Sequence, residues 1–131
     1  MINVAEFVSL LRQEWGSKTL EELRVEAERN PTGLTFESMR VSSGQRVAIV
    51  LCLTEMDDIA EVERAISLID RQTAVNWNEL TLSDLVAQTA QGRGLCYEAL
   101  RDEFGRRSAL ILVATAPDAV AFLEKAFNLP K

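Results

Sequence analysis

Two apolar runs constrain the fold of this chain more than any other feature: Val47-Ala48-Ile49-Val50-Leu51-Cys52-Leu53 and Ala109-Leu110-Ile111-Leu112-Val113-Ala114. Both are short, and the first is rich in β-branched residues. A continuous run of this length matches a strand buried on both faces, because a half-exposed strand would alternate apolar and polar positions. Neither approaches the ~18 residues of a membrane-crossing helix. Leu34 to Val41 also reads as a strand, and Ser42-Ser43-Gly44-Gln45 supplies a turn between it and the first run. These segments predict a hairpin over 34–54 and a further strand over 108–115.

The remaining segments have helical spacing. Val4, Phe7, Val8, Leu11 and Trp15 form one stripe, with Asn3 and Glu6 at capping-box spacing and Gly16 as a stop. A second helix begins at Thr19, where Glu22 repeats the capping-box spacing, and closes at Asn30-Pro31. A third runs from Asp57 to Arg71 with Ile59, Val62, Ile66 and Ile69 on one face. A short helix is expected after Thr81, another from Gly94 to about Phe104, and a last one from Pro117. The expected fold is therefore α+β: a small, mainly antiparallel sheet covered by about six helices, in a single domain spanning residues 1–131. An all-α bundle is the alternative if both apolar runs are helical. No internal repeat stands out on this reading.

The chemistry is bounded by what is missing. The chain has no histidine, which removes the commonest general base and metal ligand. The lysines, Lys18, Lys125 and Lys131, follow no glycine-rich loop. Gly92-Arg93-Gly94 lacks the third glycine and preceding strand of a dinucleotide site. No cofactor is expected. Cys52 and Cys96 are far apart and read as small buried hydrophobes; Cys96, placed in a helical first turn near Arg93, is the better of the two as a nucleophile. The N-terminus has no basic region, so no secretory signal is expected and the location is read as cytoplasmic, with no membrane partner.

Three sets of residues are candidates for function. Glu55, Asp57 and Asp58 follow the first apolar run and could bind Mg2+ or a small ligand, although capping of the next helix already accounts for acids there. Leu82 to Leu100 has the outline of a helix-turn-helix, with Arg93, Arg101, Arg106 and Arg107 as possible DNA or partner contacts. Glu98, Asp102 and Glu103 nearly cancel those arginines, however, and a DNA reader shows a clear basic stripe. Trp77, between Asn76 and Asn78, is either an interface anchor or a cover for its own core.

The net charge of −6 disfavours nucleic acid and favours a partner with a basic patch. The function expected from sequence is a small acidic, non-enzymatic protein-interaction module (an adaptor, regulator, chaperone or inhibitor), with self-association a further possibility. The alternatives are the helix-turn-helix regulator and the ligand- or Mg2+-binding protein.

Overall fold

The computed structural model describes Trp15, residues 17–68 and residues 75–130. Among these, the order is α1 (Leu20–Arg29), β1 (Leu34–Arg40), β2 (Arg46–Leu53), α2 (Met56–Ala65), α3 (Leu82–Gln91), β3 (Leu95–Arg101), β4 (Arg107–Ala114) and α4 (Pro117–Ala126). The strands form one antiparallel sheet in the order β1-β2-β4-β3. The fold is α+β, and both apolar runs are its central strands, which overturns the all-α alternative.

Four helices lie among the described residues, not about six. The expected helix over Val4–Glu14 and the residues Ile69 to Arg71 of the third fall outside the described residues. The helix expected from Gly94 to Phe104 is strand β3 followed by a turn. Its residues Leu95, Cys96, Ala99 and Leu100 suit a helix as well as a strand. Pairing with β4 over the whole of Leu95–Arg101 decides the matter. Seven ladder positions against a buried neighbour outweigh local helix propensity.

Both faces of the sheet are covered. α1 and α3 enclose a core with Trp15, Leu20, Leu23, Trp77, Leu82, Leu85 and the inward residues Val50, Ile111 and Val113. On the opposite face, α2 and α4 cover Ile49, Leu51, Leu53, Leu110 and Leu112 with Ile59, Val62, Val120 and Leu123. Double coverage explains why β2 from Val47 and β4 from Ala109 are apolar at every position.

The order α-β-β-α occurs twice, and the two halves are related by a pseudo-two-fold axis. In the β2–β4 ladder Leu51 pairs with Leu112, Ile49 with Ala114 and Leu53 with Leu110. Leu51 and Leu112 occupy equivalent places in the two halves, so the axis passes between them. Thr19 and Thr81 form an isolated antiparallel bridge, and each caps its own helix, accepting from Glu22 N at 3.2 Å and Asp84 N at 3.1 Å. Leu20 N donates to Leu80 O, and Leu82 N donates to Lys18 O. At one constant spacing Gly33, Leu34, Glu37, Arg40, Gly44, Arg46, Thr54, Asp57, Glu63 and Ala65 match Gly94, Leu95, Glu98, Arg101, Gly105, Arg107, Thr115, Asp118, Glu124 and Ala126. The chain does contain an internal repeat, contrary to the sequence-based expectation.

Equivalent ion pairs lock the halves together by exchange. Arg46 of β2 donates from Nη1 to Glu124 Oε2 of α4 at 2.6 Å and from Nη2 to Pro130 O at 2.7 Å. Reciprocally, Arg107 of β4 lies 3.1 Å from Glu63 Oε2 of α2, and its Nη2 donates to Leu68 O at 3.3 Å. The Arg46 side chain is 4% exposed and Glu124 23%, whereas the Arg107 partner Glu63 is 40% exposed. Truncating a buried member of such a pair strands its partner, so Arg46→Ala should lower stability by about 2–3 kcal/mol. Arg107→Ala should cost about 1 kcal/mol, because solvent screens Glu63. Urea denaturation of the two variants measures the difference.

Candidate functional site

The residues singled out by sequence do not form one site. Glu55 occupies the N-cap position of α2 without a side-chain cap bond, and Asp57 and Asp58 lie in the first turn. They surround a helix N-terminus, where the dipole favours acids. Among the described residues no three acids or cysteines come together to hold a metal ion, and the Mg2+ reading therefore has no geometric support.

The arginines are likewise dispersed. Arg93 stands in the turn before β3, while Arg101, Arg106 and Arg107 belong to the hairpin at its other end. A seven-residue strand separates them by about 20 Å. Arg101 donates to Gly105 O, and Arg106 Nε donates to Asp102 Oδ2 at 3.0 Å while its guanidinium stacks 5.2 Å from the Phe104 ring. These arginines build the turn. The second helix of the supposed helix-turn-helix is the paired strand β3, so no recognition helix exists at Leu95–Phe104.

Trp77 is 4% exposed within the α1/α3 core, in line with the reading as a cover for its own core and not with an interface anchor. Its carbonyl accepts from Glu21 N at 3.0 Å, satisfying a free amide in the first turn of α1. The indole therefore contributes to the core, and the backbone caps a helix.

Neither cysteine is presented as a nucleophile. Cys52 is fully buried in β2, and burial pushes its thiol up to about 12. At pH 8 the thiolate is then on the order of one ten-thousandth of the population, against about a quarter for an ordinary thiol. Cys96 is in β3, not in a helical turn, with Sγ 2.6 Å from Thr89 Oγ1. The Thr89 hydroxyl donates to Leu85 O at 2.8 Å, so the Cys96 thiol is the donor to Thr89. A disulfide-exchange reagent at pH 8 should leave Cys52 unmodified in the native chain and label it only on unfolding. Rapid native labelling of Cys52 would contradict its burial.

A site that sequence reasoning missed lies on the pseudo-two-fold axis. α2 and α4 leave a cleft of about 320 Å3 between them, with Leu112 as part of its floor. Val62, Ala65 and Ile66 line it from α2 and the residue after it, Phe122, Ala126 and Phe127 from α4 and its end, and Leu34 from β1. Phe122 is 46% exposed. Asp58 and Glu61 border the cleft on the α2 side only. The volume lies at the lower end of ordinary ligand pockets, which span about 300–1,000 Å3. Apart from Asp58 and Glu61 the lining is apolar, and among the described residues it holds no cysteine, serine, threonine or lysine.

The alanines keep it open. Ala65 and Ala126 are equivalent in the repeat, both are exposed, and both line the cleft. The repeat was the sequence signal that could have revealed this place, since it pairs α2 with α4 and puts their small residues on one axis.

Compared with known proteins, the chain matches no family model, no curated protein and no solved structure. Among the described residues no helix is long and apolar enough to cross a membrane.

Proposed function

We propose that this chain is a non-enzymatic protein-interaction module that receives an apolar segment of another protein in the cleft between α2 and α4. The observation that carries the reading is the cleft itself: an open apolar surface on an otherwise doubly covered sheet, walled by Val62, Ile66, Phe122 and Phe127. Partly exposed aromatic and aliphatic side chains around a depression are the usual anchors of recognition. Away from the cleft Arg46, Arg107 and Thr89 are engaged in the fold.

Ala65→Trp tests the proposal, because position 65 is exposed and a tryptophan there fills the cleft without entering the core. Tagged wild-type chain and Ala65→Trp, matched in melting temperature, are compared for stoichiometric capture from lysate of the host. Loss of the captured protein in Ala65→Trp, with retention in the remote Ser43→Ala control, is expected. Equal capture by both variants would remove the cleft from the interaction.

A further inference from the structure

The two walls of the cleft are equivalent in the repeat yet chemically opposite. Positions that hold the fold, Arg46 and Arg107, Glu63 and Glu124, and Leu51 and Leu112, are the same in both halves, as are the alanines Ala65 and Ala126 inside the cleft. Positions on the rim are not. Glu61 stands where the second half has Phe122, and Asp58 where it has Ala119. One rim is thus acidic and the other aromatic. A symmetric fold has been given an asymmetric mouth.

From this we infer that the occupant is a short apolar peptide segment carrying a lysine or arginine, seated with its base toward Asp58 and Glu61 and its apolar side chains toward Phe122 and Phe127. The inference rests on the interaction reading above and specifies the partner's chemistry.

The charges support it. α2 carries Asp57, Asp58, Glu61 and Glu63 against Arg64 alone. Among the described residues Glu63 is committed to Arg107, while Asp58 and Glu61 form no ion pair. An apolar cleft with one acidic wall concentrates a cationic apolar segment and repels an acidic one. A second copy of this chain is disfavoured as occupant, because it carries the same net charge of −6 and the same acidic helix. The repeat also fixes orientation. With two identical walls a guest could bind either way round, whereas one acidic and one aromatic wall select a single direction.

The test is selection from a random displayed-peptide library on the 131-residue chain, followed by affinity measurement on wild type, Glu61→Lys and Ala65→Trp. Glu61 is exposed in mid-helix, so its reversal leaves the fold intact. The selected peptides should combine two or more large apolar residues with a nearby Lys or Arg. They should weaken about tenfold or more on Glu61→Lys, the penalty of bringing like charges together. They should also be lost on Ala65→Trp. Peptides without excess base, or with affinity unchanged by Glu61→Lys but lost on Ala65→Trp, would overturn the charge inference and leave the cleft as the binding place. Peptides indifferent to Ala65→Trp would overturn both. Failure of any peptide to enrich would overturn the proposed partner chemistry.

Discussion

Leu51→Ala should destabilise the chain by about 3 kcal/mol or more, lowering the melting temperature by roughly 10 °C. Leu51 is fully buried and pairs with its own counterpart Leu112 on the pseudo-two-fold axis. It touches both halves at once, so the void left by truncation cannot be closed by moving one half. The α2/α4 cluster to which it belongs is held by Ile49, Leu53, Leu110 and Leu112, all in central strands whose ladders fix their positions. Rigid surroundings keep a cavity open, and that is the condition for the upper part of the cost range. Leu95→Ala, half-buried on the outer strand β3, provides the contrast and should cost less than about 1.5 kcal/mol. Equal losses at the two positions would mean that the axis is not the centre of the packing.

Gly94→Ala should be nearly as damaging, and far worse than the equivalent Gly33→Ala. Both glycines have positive φ, 68° at Gly33 and 80° at Gly94, so each alanine incurs about 1–2 kcal/mol of backbone strain. The surroundings differ. A methyl at Gly33 would lie 2.5 Å from Glu55 Cγ, part of an exposed side chain that can swing away. A methyl at Gly94 would lie 2.4 Å from Ala116 Cβ and 2.9 Å from Ala116 N. That backbone is tied down, since Thr115 N and Ala116 N both donate to Gly94 O. The main chain before α4 would have to shift, for a total of about 3 kcal/mol or more. Thermal unfolding of the pair reads the difference directly. Indistinguishable midpoints would show that the two crossings are equally loose.

Much of the fold was legible because its physics is local. The runs at Val47–Leu53 and Ala109–Ala114 read as buried strands, with buried helices as the alternative, and Thr19, Thr81 and Pro117 mark helix starts by chemistry that acts within one turn. Strand β3 was not legible from its own residues. Leu95, Glu98, Ala99 and Leu100 favour helix, and only the ladder with β4 makes them a strand. Yet Gly94-Leu95-Cys96-Tyr97-Glu98 repeats the pattern of Gly33-Leu34-Thr35-Phe36-Glu37, and reading β3 through β1 would have corrected it.

The cleft was illegible for a different reason. Its residues are spread from Leu34 to Phe127, and each reads as ordinary core or surface until α2 and α4 are placed side by side. The candidates chosen from sequence were conspicuous by charge or ring size. In the fold most of that conspicuousness went into structure: Asp57 at a helix start, Arg106 and Arg107 in ion pairs, and Trp77 in a core, while Asp58, also in the first turn of α2, is the one that borders the cleft.

The most direct measurement is backbone amide chemical-shift mapping of the full chain as the tightest selected basic-apolar peptide is added. The largest changes should fall on Glu61, Val62, Ile66, Leu112, Phe122 and Phe127, on both sides of the axis, with α1 and α3 unmoved. Changes centred on α1 and α3, or on the Phe104 hairpin, would contradict the proposal that the α2/α4 cleft is the binding surface.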